Sequence, residues 1–152
     1  MSLTMVAIDV GASRTRVRLG RRPEAFYDGG DPIVRDIRSV TELMDLLREV
    51  RSGLPANERV HLSGGVAAPA IGTTERIMTN WLEDGRISIE AIRTLGFERV
   101  QLMNDLEAAA HGLVALLDDD IQDGQIVPFG DTELPDHGHD RLVIRGAGRG
   151  WA

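Results

Sequence analysis

Apolar and polar positions along the chain mark out a series of short elements. Thr4 to Val10 is an apolar run with Asp9 at its end, which predicts a central strand buried on both faces. Gly11-Ala12-Ser13 reads as a tight turn. From Arg14 to Leu19 the chain alternates strictly, with Thr15, Val17 and Leu19 on one face and Arg14, Arg16 and Arg18 on the other. That pattern predicts a half-buried antiparallel strand, so the chain opens with a β-hairpin around an Asp-x-Gly turn. Arg21 to Asp31 reads as loop, with a short strand at Ala25 to Tyr27. Pro32 to Ile37 reads as a third strand. Ser39 and Glu42 form a capping box, and a helix runs from there to about Arg51. Its inner face carries Leu43, Leu46, Leu47 and Val50, and Gly53 and Pro55 stop it.

Arg59 to Ala68 is the next predicted strand. Its Gly64-Gly65 pair predicts a bulge or the close approach of another group. After a turn at Pro69 and Gly72, Ile77 to Trp81 reads as a returning strand. Ser88 starts a helix with Ile89, Ile92 and Leu95 inward, closed by Gly96. Phe97 to Met103 is a strand that runs straight into a helix from Asp105. That helix carries Leu106, Ala109, Ala110, Leu113, Val114 and Leu117 on one stripe. Gln122 to Asp140 has no period and reads as a polar loop. Arg141 to Ile144 reads as a last strand, followed by the Gly-rich turn Gly146-Ala147-Gly148-Arg149-Gly150. No internal repeat is present. This order predicts an α/β fold, a mixed sheet with an antiparallel hairpin at its N-terminal end and helices packed on it.

Composition narrows the chemistry. At 152 residues, 42% hydrophobic and 27% charged, the chain suits one soluble domain over 1–152. A net charge of −7 argues against a nucleic-acid or anionic-membrane partner. No apolar run approaches the roughly 18 residues that span a bilayer. The N-terminus lacks a basic leader, so a cytoplasmic location is expected. There is no cysteine, which excludes disulfides, thiolate nucleophiles and Cys-ligated zinc. There is no lysine either, because all 17 basic residues are arginine. A P-loop lysine and a Schiff-base lysine are therefore excluded, and phosphate would have to be held by backbone N–H groups, arginine or a metal ion.

Two places carry candidate chemistry. Asn104 and Asp105 sit where a strand meets a helix, which is where open α/β sheets bind ligands. Asn104 with Glu107 also fits a capping box. Asp105 suits a general base and Asn104 a hydrogen-bonding partner for a substrate hydroxyl; capping and catalysis are compatible. Asp9, beside a small-residue turn, suits a magnesium–phosphate site, and equally a plain hairpin turn. If the two places share a cleft edge, one handling phosphate and the other a hydroxyl, the arrangement is one for phosphoryl transfer. Glu107 and His111 read as a helical i, i+4 pair. His137-Gly138-His139-Asp140 matches no zinc spacing and reads as surface loop.

In this order the pieces resemble the N-terminal part of the bacterial glucokinases, in the actin-like, ribonuclease-H-like superfamily of sugar kinases. Asp9-Val10-Gly11-Ala12-Ser13-Arg14-Thr15-Arg16 resembles the family's Asp-x-Gly-Gly-Thr-Asn-x-Arg phosphate hairpin. Ala68-Pro69 and Met78-Thr79-Asn80-Trp81 resemble its hairpin near the sugar. Leu95-Gly96-Phe97 and Asn104-Asp105 resemble its Leu-Gly-Phe…Asn-Asp-Phe segment. The turn from Gly146 to Gly150 resembles its Gly-x-Gly-Thr-Gly-Leu-Gly phosphate turn.

The resemblance implies phosphorylation of glucose at its 6-hydroxyl by ATP with Mg²⁺, at the start of glycolysis. Asp105 would be the base, and Asn104, Asp105 and Asn80 would bind the sugar. Asp9, Gly11, Ser13, Gly146, Gly148 and Gly150 would line the phosphates, with Asp9 toward Mg²⁺. The chain departs from the pattern at Ala12, Ser13, Arg14 and Arg149. It also stops where the family's second domain begins. A single sugar-kinase lobe is thus expected, one completed by a second lobe or by a homo-oligomer. The alternative is an inactive lobe that serves as a binding or regulatory module.

Overall fold

The structure is a computed structural model, and it describes residues 2–21, 31–71, 74–81 and 84–118. Strands β1 (Leu3–Val10), β2 (Arg14–Gly20) and β3 (Ile33–Asp36) lead into helix α1 (Val40–Ser52), and β4 (Arg59–Val66) follows. Three short strands come next, β5 (Ala70–Ile71), β6 (Glu75–Ile77) and β7 (Arg86–Ser88). Helix α2 (Ile89–Arg93), strand β8 (Arg99–Asn104) and helix α3 (Asp105–Asp118) complete the described elements. The chain divides into two units, Met1–Asp105 and Leu106–Ala152.

The first unit holds a five-stranded sheet in the order β3-β2-β1-β4-β8. β1, β4 and β8 are parallel, while β2 and β3 add antiparallel strands on the far side. β5, β6 and β7 form a separate antiparallel sheet. The architecture is the mixed α/β lobe that the sequence predicts.

Alternation decides the two faces of the main sheet. Val6, Ile8 and Val10 share a face with Val17, Val60, Leu62, Val66, Val100 and Leu102, and all are buried. They form one hydrophobic cluster with Leu43, Leu46, Leu47 and Val50 of α1 and with Ile89 and Ile92 of α2. The opposite face is mixed and less buried: Leu3, Met5 and Ala7 of β1 are half-buried there among polar residues. It carries Asp9, Arg14, Arg16, Arg99 and Gln101, all exposed, and the half-buried Arg18, His61 and Ser63. So β1 is fully buried on one face only; on the other Leu3, Met5 and Ala7 are half-buried and Asp9 is exposed.

Local signals place the ends of the helices. The Ser39 hydroxyl accepts from the Glu42 N–H at 3.2 Å, and the Glu42 carboxylate accepts from the Arg38 N–H at 2.7 Å. This is a capping box whose return bond lands one residue earlier than usual. Gly53 caps α1 with ordinary helical φ, so its freedom is not needed there. Gly96, at φ +93°, does need it. It turns the chain two residues after Thr94, the C-cap of α2.

Several boundaries differ from expectation. β8 begins at Arg99 rather than Phe97 and runs on through Asn104. Phe97 is buried in the core, and the Glu98 N–H donates to the Val60 carbonyl at 2.8 Å just before the strand begins. β6 ends at Ile77, where the sequence predicts it to begin. Met78 then closes a turn by donating to the Gly85 carbonyl at 2.9 Å. The Gly64-Gly65 pair makes no bulge; β4 stays in register from Arg59 to Val66. In the second unit α3 is present, but Leu106 and Ala109, which begin its predicted apolar stripe, are exposed. The strands expected at Ala25 to Tyr27 and Arg141 to Ile144, the Gln122 to Asp140 loop and the final Gly-rich turn lie outside the described residues.

Candidate functional site

Parallel strands deliver their C-terminal ends to one edge, and this is where the candidate residues gather. Val10, Val66 and Asn104 stand in register across β1, β4 and β8. The turn after β1, the loop after β4 and the Asn104–Asp105 junction after β8 therefore share one edge of the sheet. With strands ~4.8 Å apart, β1 and β8 are separated by roughly 10 Å. This is the position at which open α/β sheets bind ligands.

The turn after β1 is held tightly. The Gly11 N–H donates to the Arg14 carbonyl at 3.0 Å, leaving Ala12 and Ser13 exposed at the tip. A Cβ on Gly11 would lie 2.9 Å from that same carbonyl oxygen, so the position needs glycine for space. The Ser13 carbonyl accepts from the Ile37 N–H at 3.2 Å, which anchors the tip to the end of β3. Arg14, where the resembled pattern has Asn, is drawn sideways to Asp36 at 3.4 Å.

Asp9 lies opposite Arg16 in the hairpin register, and its carboxylate accepts from the Arg16 guanidinium at 2.9 Å. Both side chains are half exposed. Ala7, Ile8, Asp9, Arg16, Arg18 and Pro32 line an open depression of ≈ 420 Å³ around this pair. Among the described residues no cluster of three or more His, Cys, Asp or Glu is placed to hold a metal ion. Mg²⁺ commonly keeps several waters and takes only one or two protein carboxylates beside substrate phosphates. Asp9 fits that role as a single ligand.

At the other end of the edge, Asn104 is half-buried and its carboxamide N–H donates to the Ala68 carbonyl at 3.0 Å. That bond ties the end of β8 to the loop after β4. The same loop is fixed to β1 by the Ala67 N–H, which donates to the Val10 carbonyl at 2.8 Å. Asp105 is half-buried and is the first residue of α3. A carboxylate there complements the positive end of the helix dipole.

The edge thus brings together Asp9, Gly11, Ser13, Asn104 and Asp105. It does not put them all on one face. Asn104 shares the apolar face with Val10 and Val66, whereas Asp9, one residue before Val10, points to the arginine face. Asn80 is exposed in the turn after β6, three residues beyond the end of that strand. Gly146, Gly148 and Gly150 lie outside the described residues.

One residue at this end was not legible as a site residue. Arg76 of β6 is buried, and its guanidinium donates to the Leu102 carbonyl, two residues before Asn104. The sequence offers only a faint signal, an arginine among Ile77, Met78 and Trp81 where a strand would alternate.

Comparison with known proteins bears on the family and the fold. The family model for glucokinase matches residues 6–151. "Probable glucokinase 2" of Trichomonas vaginalis is 25% identical over 162 residues, an alignment covering 97% of this chain and 42% of that protein. Among solved structures, the glucokinase of Balamuthia mandrillaris in complex with glucose superimposes with a TM-score of 0.63. It is 18% identical, with 77% of this chain and 33% of that chain covered. A glucokinase from an Antarctic psychrotroph gives a TM-score of 0.55 at 18% identity, covering 80% of this chain and 36% of its own. At that identity the two structures speak for the fold alone, the actin-like, ribonuclease-H-like lobe. The chain spans less than half the length of each of these relatives.

Proposed function

The chain belongs to the glucokinase family, and from that membership we propose that it takes part in ATP-dependent phosphorylation of glucose at the 6-hydroxyl, as one lobe of the site. The observation that carries the proposal is the register of Val10, Val66 and Asn104. It sets the small-residue turn and the Asn–Asp junction on one sheet edge, roughly 10 Å apart by strand spacing.

Asp105 acts as the base. It takes the 6-hydroxyl proton as that oxygen bonds to the γ-phosphorus, and the bond from phosphorus to the bridging oxygen breaks with its electrons leaving on ADP. Asn104, its carboxamide oriented by Ala68, and Asn80 hold sugar hydroxyls. Backbone N–H groups of Ala12 and Ser13, at the tip of the turn that Gly11 closes, and the Ser13 hydroxyl approach the phosphates. The chain has no lysine for that task; Gly146, Gly148 and Gly150 are assigned to phosphate from their resemblance to the family's Gly-rich turn alone. Asp9 is the carboxylate toward Mg²⁺, which when bound with ATP neutralises phosphate charge and orients the γ-phosphoryl group.

A place at the first step of glycolysis, in the cytoplasm, goes with this reading. Among the described residues no helix is long and apolar enough to cross a membrane. A second reading is a lobe that binds sugar without turning it over, and it is favoured by Arg14, which stands where the resembled phosphate hairpin has Asn and is drawn aside to Asp36. Closure of two lobes over the substrate is what excludes water and assembles such sites.

The test is formation of glucose 6-phosphate by the full chain with glucose, ATP and Mg²⁺, beside Asp105→Asn. Product that is lost in the variant supports catalysis by Asp105. Absence of product with retained glucose binding selects the second reading. Absence of both refutes the hexose assignment for this chain.

A further inference from the structure

Among the described residues Arg76 is the one buried cation, at 6% exposure. Burial of a guanidinium is costly unless its donors meet acceptors, so the acceptors it meets are informative. One is the carbonyl of its own neighbour, Glu75, at 2.8 Å. Another is the Leu102 carbonyl of β8. β8 is the edge strand of the main sheet as described, the kind of strand that leaves backbone groups in need of a partner. Arg76 therefore ties the second sheet to the edge of the first.

The tie sits at a telling point. Leu102 lies two residues before Asn104 and three before Asp105. Arg76 lies four residues before Asn80. The loop that leads into the second sheet is fixed to the same strand end, since the Asn104 carboxamide donates to the Ala68 carbonyl at 3.0 Å. The Arg76 bond thus joins the second sheet to β8, and the Asn104 bond ties the end of β8 to the loop that enters that sheet. The residues proposed for the sugar stand on both sides of the Arg76 tie, Asn80 in the turn after β6 and Asn104 and Asp105 at the end of β8.

We propose that Arg76 is a positioning residue for sugar recognition: through Leu102 it holds Asn104 and Asp105 in fixed relation to Asn80. This rests on the assignment of those three residues to the hexose. An apolar side chain of similar length would fill the space yet leave the Leu102 carbonyl without this donor. Lysine would restore one donor without the planar fork.

The experiment compares the full chain with Arg76→Met and Arg76→Lys. Glucose and MgATP binding are measured by calorimetry, and amide hydrogen exchange is followed residue by residue. For Arg76→Met, glucose affinity is expected to fall at least tenfold, MgATP affinity to stay within twofold, and Arg76→Lys to recover part of the loss. Exchange is expected to quicken at Met78 to Asn80 and at Met103 to Asp105 but not at Val6 to Val10. Unchanged glucose affinity in Arg76→Met, equal losses for glucose and MgATP, or faster exchange spread evenly over β1 would each overturn the proposal. If the unsubstituted chain binds no glucose, the hexose assignment fails by itself. The exchange pattern still decides whether Arg76 holds the two segments together. Should Arg76→Met fail to fold, Arg76→Lys carries the same comparison.

Discussion

Asp9 and Arg16 face each other across the first hairpin, with 2.9 Å between carboxylate and guanidinium. The register of β1 against β2 makes them cross-strand partners. Both side chains are 52% exposed, and pairs of that kind contribute ~0–1 kcal/mol to stability. Asp9→Asn should therefore leave the melting temperature within a few degrees of the parent. If Asp9 is the Mg²⁺ carboxylate, the same substitution should weaken Mg²⁺-dependent ATP binding at least tenfold by calorimetry. Equal affinity in the variant would return Asp9 to the role of a hairpin residue.

At Gly64 strand β4 lies against Ile8 of β1 with no room for a side chain. A Cβ added there would lie 2.1 Å from the Ile8 carbonyl oxygen and 2.4 Å from Ile8 Cγ1. The first of these atoms is backbone and cannot swing aside. Overpacking in a core ordinarily costs ~1–3 kcal/mol, and a clash with backbone belongs at the upper end or beyond. Gly64→Ala should destabilise the chain by about 3 kcal/mol in urea unfolding, or prevent folding. A loss below about 1 kcal/mol would mean that β1 and β4 can separate.

What the sequence disclosed follows from what sequence patterns encode. The alternation of Thr15, Val17 and Leu19 against three arginines set the face of β2, and Ser39 with Glu42 set the start of α1. These are local signals. Gly64 was readable as a close approach, but not that Ile8 is the neighbour, because register between distant strands is not a local property. Arg76 was invisible for the same reason: its partner Leu102 is 26 residues away. The Asn104–Asp105 junction stood out locally. That Asn104 belongs to the strand, bonded to Ala68, depended on a contact 36 residues distant.

Thr15 is fully buried on the apolar face of β2, and among the described polar atoms its hydroxyl oxygen has no hydrogen-bond partner. A buried hydroxyl without a partner costs ~1–3 kcal/mol, whereas a methyl of the same shape costs nothing comparable. Thr15→Val should raise stability by about 1 kcal/mol in chemical unfolding, with activity or ligand binding unchanged. A destabilised variant would reveal an acceptor for that hydroxyl.

Glu58 is expected to contribute to the acid limb of stability. Its side chain is 1% exposed and lies between the starts of β1 and β4, accepting from the Thr4 hydroxyl at 2.7 Å. That hydrogen bond, with lesser help from Ser2, Arg21 and Arg51, outweighs burial and holds its carboxyl below the usual glutamate range. A pKa lower in the folded than in the unfolded chain means that the unfolded chain binds the proton more readily. The contribution to stability is therefore full above the unfolded value of about 4.3 and is lost as pH falls through the folded one. Glu98, held low chiefly by its hydrogen bond from Arg59, adds to the same acid limb from the surface. Glu58→Gln should lower the melting temperature at pH 7, and the gap to the parent should close as pH drops below about 4. Melting curves from pH 7 to pH 3 check this. A gap that persists unchanged at pH 3 would show that the loss came from packing of the amide rather than from the charge on Glu58.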